Sequence, residues 1–143
     1  QIQYSLNYAT GAITPFLYAV EYRRLEKLPL NIKRSLREFI KELKEKPLLS
    51  ILFGSYVSGR YTSSSDVDIL LVFQKLDKPQ EIEKTARIIG LRTNVQINAV
   101  YLDYPSFSSS FHLSTKEFFR NLRENKLLLV GIEWWRLLLD EES

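Results

Sequence analysis

Apolar residues recur at helical spacing from Ile13 to about Leu28, at Phe16, Leu17, Val20, Leu25 and Leu28. They predict a helix whose first turn accommodates Pro15. The "KLPLN" stretch interrupts that pattern. Asn31 can cap a second helix to about Lys46, with Ile32, Leu36, Phe39, Ile40 and Leu43 on one side and Pro47 ending it. The period then changes. "LLSILF" reads as a buried strand closed by Gly54, residues 55–61 as a short helix or turn, and "TSSS" as a loop. "DVDILLVF" is continuously apolar after its acidic head, as a central strand is. Pro79 opens a helix expected to reach Ile89 and stop at Gly90, and "VQINAVYL" alternates as a third strand. "DYPSFSSSFHLS" reads as a Ser-rich loop, with Ser114 and Glu117 as a capping box for a helix to about Glu124. "KLLLVG" fits a short strand or helical turn, and "IEWWRLLLDEE" a last helix.

This order predicts a small mixed α/β (α+β) fold, a sheet of three to four strands flanked by helices with a helical pair in front. The expected division is an N-terminal helical segment over residues 1–46 and a second unit over residues 47–143. The strands around Gly54 and "DVDILLVF" are joined by only a dozen residues, so they are antiparallel neighbours or flank a short helix.

Composition narrows the chemistry. At 143 residues, 45% hydrophobic and 26% charged, the chain fits one globular domain. No apolar run approaches the roughly 20 residues of a membrane helix, so no membrane partner is expected. The absence of cysteine excludes disulfides and thiolate metal sites and points to a reducing, cytoplasmic setting. With His112 as the single histidine, any metal must be held by oxygen, which favours magnesium. Residues 20–46 hold nine Lys/Arg against five Glu, so they carry +4 of the total +3 and the remainder carries −1. Such a segment can meet phosphate or serve as a solvated helix face. The sequence contains no methionine, and the expectation is that it continues from a longer polypeptide or has had its start trimmed.

The informative stretch is "LFGSYVSGRYTSSSDVDILLVF", residues 52–73. Alternation along a strand turns Asp66 and Asp68 to the same side, with Val67 and Ile69 pointing into packing. Two carboxylates so close repel unless a cation lies between them, and magnesium accepts one or two carboxylates together with phosphates and water. Gly54 leaving a strand lets backbone amides approach an anion, Ser55 adds a hydroxyl donor, and Gly59 frees the intervening turn. Arg60, Thr62, Ser63, Ser64 and Ser65 are further groups within the same loop.

Gly-Ser, ten residues, then Asp-x-Asp resembles the signature of the nucleotidyltransferase superfamily related to DNA polymerase beta, in its minimal nucleotidyltransferase form. Gly54, Ser55, Gly59, Ser65, Asp66 and Asp68 occupy its fixed positions. The resemblance implies that a nucleoside triphosphate, ATP by expectation, binds with magnesium. Gly54, Ser55, Gly59 and Ser65 then serve the phosphates, and Asp66 and Asp68 hold metal and act in catalysis. A nucleoside monophosphate passes to an acceptor hydroxyl on a protein, RNA or small molecule. Active relatives carry a third carboxylate on the strand after the intervening helix. Here that place falls on Asn98, with Gln96 two residues before it. An amide is a poor base, so the alternative is a weak or inactive nucleotide-binding regulatory or antitoxin-type domain. Asp103 is the nearest other acid, at the strand's end and of opposite parity.

Other features are set against plainer roles. "QIQYSLN" resembles the junction to an upstream winged-helix DNA-binding domain, or is an ordinary tail. Trp134 and Trp135 pack a terminal helix or a homodimer surface, or stack a base. "FSSSF" is a loop or a lid, and His112 a residue within it.

Overall fold

The strand read as most apolar lies at the centre of the sheet. In a computed structural model describing residues 13–113 and 116–140, β1 (Leu49–Phe53) and β2 (Val67–Phe73) pair antiparallel. β3 (Ile97–Asp103) lies parallel to β2, and β4 (Leu127–Val130) antiparallel to β1, giving the order β3-β2-β1-β4. The sheet is therefore mixed and four-stranded, at the upper end of the three to four strands that the element order predicts. The dozen residues between β1 and β2 contain one helical turn, α3 (Ser55–Ser58).

Alternation sends the side chains of β2 into two cores. Ile69, Leu71 and Phe73 pack with Ile32, Leu36 and Phe39 of α2 (Leu30–Glu42) and with Ile82, Ala86 and Ile89 of α4 (Pro79–Thr93). Leu70 and Val72 face the other way. They meet Phe107 and Phe111 of α5 (Tyr104–Leu113), Phe119 and Leu122 of α6 (Glu117–Glu124), and Trp135 and Leu138 of α7 (Ile132–Asp140). This double burial explains why the strand reads as an unbroken apolar run.

Four boundaries differ from expectation, each for a local reason. The N-cap of α2 is Pro29, whose carbonyl accepts the amides of Ile32 and Lys33, so Asn31 sits inside the first turn. That helix stops at Glu42, and the Lys46 ammonium bonds back to the carbonyls of Ile40 and Lys41 at 3.1 and 2.8 Å. Gly90 does not end α4. The helix runs to Thr93, Asn94 takes the left-handed cap at φ 57°, and the glycine makes room for the Val95 carbonyl, 2.8 Å from where a Cβ would stand. "DYPSFSSSF" is no loop or lid but helix: the amide of Ser106 bonds Asp103 Oδ1 at 2.8 Å, and Phe107 and Phe111, four residues apart, are fully buried. The capping-box Ser114 lies outside the described residues, as does "QIQYSLN"; the N-cap of α6 is Lys116, without a side-chain cap bond. No described helix is long and apolar enough to cross a membrane.

The two sheet edges are treated differently. Beside β4 lies α1 (Ile13–Glu26), and its buried Glu21 accepts the outward amide of Leu128 at 2.7 Å. β4 also has an irregular register with β1 between Ser50 and Ile51. Among the described residues β3 has neither protection; its pairing with β2 is unbroken over seven residues.

Candidate active site

β1 delivers the chain to Gly54, which adopts φ 82° and ψ −153°, a conformation open to glycine alone. A Cβ built on Gly54 would overlap the carboxylate of Asp68. The glycine thus serves twice, turning the chain and admitting Asp68 against the backbone. The amides of Val57 and Ser58 return to the Gly54 carbonyl at 3.1 and 3.0 Å. Among the described residues, those of Ser55 and Tyr56 have no such backbone partner and remain available as donors. Gly59 closes the turn in the left-handed region at φ 82°.

The loop that follows is held by its own hydroxyls. Ser65 Oγ accepts the Thr62 amide at 2.8 Å, and Thr62 Oγ1 lies 3.1 Å from Ser64 Oγ. Tyr56 donates to the Ser65 carbonyl at 3.4 Å and stacks on Tyr61 with ring centroids 4.7 Å apart. Burial first, then Tyr61 and Asp66, push the Tyr56 phenol above its ordinary pKa, so it stays a donor. Ser65 therefore shapes the turn presenting Asp66, while Arg60 and Ser63 are exposed.

Asp66 and Asp68 converge. Val67 and Ile69 are fully buried between and beyond them, which fixes the parity of the strand. Asn98, paired in register with Asp68, donates its Nδ2 to Asp66 Oδ2 and Asp68 Oδ1, both at 3.2 Å. Gln96 Nε2 donates in turn to Asn98 Oδ1 at 3.3 Å. One small donor touching both acids shows that their oxygens face a common point, as the ligands of a hard cation must. Among the described residues no third acid, histidine or cysteine joins them in a metal-binding group. Two carboxylates beside a turn with unengaged amides nevertheless fit magnesium, which takes one or two carboxylates and fills its remaining positions with water or phosphate. Asp103 is not part of this site: it lies at the far end of β3, paired with Phe73, and its carboxyl, held below the usual range by the Ser106 amide, caps α5.

One neighbouring feature escapes the sequence. A cavity of about 420 Å³ adjoins Gly54, lined by Phe53, Arg60, Phe118, Asn121 and Asn125. The residues of α6 reach it only through the sheet order that sets β4 beside β1, and no local pattern announces that. Trp135 is buried and Trp134 packs against Tyr104, while His112 is on α5 with its ring against Phe111.

Gly54→Ala is expected to destroy the site. The positive φ alone is worth ~1–3 kcal/mol of strain, and the new methyl group displaces Asp68. Thermal denaturation shows the strain, and titration with a magnesium nucleotide shows loss of binding.

Residues 33–128, more than half of the chain, match the profile of the nucleotidyltransferase domain. The chain belongs to the nucleotidyltransferase domain family. A protein of Methanocaldococcus jannaschii named "putative protein adenylyltransferase" is 34% identical over 104 residues, covering 70% of this chain and 99% of that one. A second protein of that organism and name is 35% identical over 78 residues, covering 50% and 79%. A solved structure described as a toxin-antitoxin with AMP-PNP superposes with a TM-score of 0.55 at 15% identity, over 76% of this chain and 82% of that one. The last likeness is one of fold. In this nucleotidyltransferase domain, the glycine turn, the paired acids and Asn98 lie at one end of the sheet, on three adjacent strands or their ends.

Proposed function

We propose that this nucleotidyltransferase domain moves AMP from ATP to an acceptor hydroxyl in a magnesium-dependent reaction. The observation that carries this reading is the convergence of Asp66 and Asp68 beside the Gly54 turn. Magnesium, when bound, supplies neutralising charge for the triphosphate and the developing transition state. The amides of Ser55 and Tyr56 and the Ser55 hydroxyl receive the β- and γ-phosphate oxygens. The acceptor oxygen forms a bond to the α-phosphorus as the bond from that phosphorus to its bridging oxygen breaks, and pyrophosphate departs with the electron pair. The hydroxyl proton passes to water, because Asp66 and Asp68 are the residues that would hold metal and no further side-chain base stands beside them. Asn98 orients the two acids and takes no proton, because an amide is not a base at neutral pH. The names of the relatives support a protein acceptor and AMP, and the fold-similar complex with AMP-PNP supports an adenine nucleotide.

A second reading is favoured by Asn98 itself. Where active relatives resemble one another in a third acid, this chain has a neutral donor, which suits a regulatory, nucleotide-holding or antitoxin-type domain. α-Labelled ATP, magnesium and candidate protein and RNA acceptors separate the two. Slow labelling of an acceptor by the native protein is expected. Asn98→Asp is expected to accelerate it on the order of 10²-fold, the lower end of what a positioned general base contributes. Tight nucleotide binding without transfer by either protein would favour the second reading.

A further inference from the structure

The acceptor has to reach the site from one side, and the sheet order says which. Attacking and leaving oxygens lie roughly in line across a transferred phosphoryl group. Here the phosphate cradle of Gly54 and Ser55 follows β1, the acids stand at the head of β2, and Asn98 is on β3. Pyrophosphate therefore leaves toward β1, and the hydroxyl enters over β3.

β3 is an open edge. The Val67 amide bonds to the Gln96 carbonyl, so even-numbered residues of β3 turn their peptide groups to β2 and those of Ile97, Ala99 and Tyr101 point outward. Among the described residues, no backbone or side-chain bond engages these outward groups. The strand contains no Lys, Arg or Pro and no bulge, the usual devices that blunt an edge. The opposite edge, by contrast, is closed by Glu21 on the Leu128 amide. Val100 is 43% exposed on the Asn98 face of this strand, and Leu91 of α4, which packs on the opposite face, is 80% exposed. Between α4 and β3 runs a cavity of about 610 Å³, lined by Glu83, Arg87, Leu91, Ala99 and, at its site end, Gln96 and Asn98.

The geometry points to the free edge of β3 as the docking surface for the acceptor, which is an extended polypeptide segment that adds as a fifth strand and carries its Ser, Thr or Tyr hydroxyl to Asn98 and Asp68. A row of alternating outward N–H and C=O groups along seven residues matches the spacing of another extended peptide backbone, the pattern of strand addition to a sheet edge. Alternate side chains of the added strand enter the α4 groove, and those between them lie on the face of Asn98. The inference rests on the transferase reading above, and its test separates the two.

The probe is a set of random peptides long enough to span the seven residues of β3, each with one central Ser, Thr or Tyr, incubated with α-labelled ATP and magnesium. The native protein is expected to label peptides. Ala99→Pro removes one outward amide and leaves the bonds to β2 in place; it is expected to raise the peptide KM at least ~10-fold, as loss of a strand-pairing bond and the proline ring's bulk dictate, with nucleotide binding unchanged. In the native protein, hydrogen exchange is expected to slow at the Ala99 and Tyr101 amides when peptide is added, a reading that needs no variant. Failure of the native protein to bind magnesium ATP would remove the transferase reading itself. Nucleotide binding with labelling of RNA alone, labelling by Ala99→Pro at the native KM, or no added protection at Ala99 and Tyr101 would overturn the docking surface. So would a stable dimer in which those amides are already protected.

Discussion

Asp68→Ala is expected to lower AMP transfer on the order of 10³-fold, about 4 kcal/mol at the transition state, the scale of losing a metal-held phosphoryl group. Asp68 links the glycine turn to β3. It lies against the Gly54 backbone, pairs in register with Asn98 and shares the Asn98 amide with Asp66. The fold is expected to survive the change. Removing one of two neighbouring acids relieves repulsion and sacrifices one half-buried hydrogen bond, and the two effects oppose, so the melting temperature of the metal-free protein stays near the native value. Asp77→Ala supplies the control: its exposed carboxylate is 3.9 Å from Lys75 and far along the chain from the cradle. Label transfer measured for native, Asp68→Ala and Asp77→Ala proteins checks the prediction. Equal rates in all three would remove Asp68 from the chemistry.

Phe111→Ala is expected to destabilise the protein by ~3–5 kcal/mol, the cost of deleting a buried aromatic ring and leaving a cavity. That is a large part of the ~5–15 kcal/mol that holds a domain together. The ring is fully buried, 5.7 Å from Phe107 and 5.2 Å from Trp135 between centroids, and the Arg123 guanidinium lies 4.0 Å above it. Arg123 also donates to the Phe111 carbonyl at 2.8 Å, tying α6 to α5. Ser109→Ala, on the exposed side of the same helix, is expected to change stability by less than ~0.5 kcal/mol. Urea denaturation distinguishes the two. A small effect at Phe111 would mean that residues 104–113 behave as the loop their serines suggest.

That segment shows where local pattern ends. Three serines in a row between phenylalanines have weak helix preference, and composition reads them as loop. The helical signs were present: an acid at Asp103, Pro105 in the first turn, and Phe107 and Phe111 one turn apart. They lose their ambiguity only when a sheet face is available to bury both rings. Gly90 misleads in the same way, since a glycine inside a helix and one ending it look alike until the Val95 carbonyl is placed against it. The first three strands, by contrast, are legible because β2 is buried on both faces and β1 leads straight into a glycine; "KLLLVG" fits a strand or a helical turn until its pairing with β1 is seen.

The site divides along similar lines. Gly54, Ser55, Asp66 and Asp68 are readable because their geometry follows from strand parity and a single turn. Asn98 is readable as a position that lacks an acid. Its donation to both carboxylates depends on the β2–β3 register, a contact between residues 30 and 32 positions apart. The open edge of β3 and the cavity beside α6 depend on strand order, which no local periodicity encodes.

The most direct measurement is a crystal structure of the protein with magnesium and a non-hydrolysable ATP analogue. The account predicts magnesium at about 2.0–2.1 Å from oxygens of both Asp66 and Asp68, with the terminal phosphates on the Ser55 and Tyr56 amides. A bound nucleotide whose metal touches neither carboxylate, or whose phosphates lie away from the Gly54 turn, would contradict it.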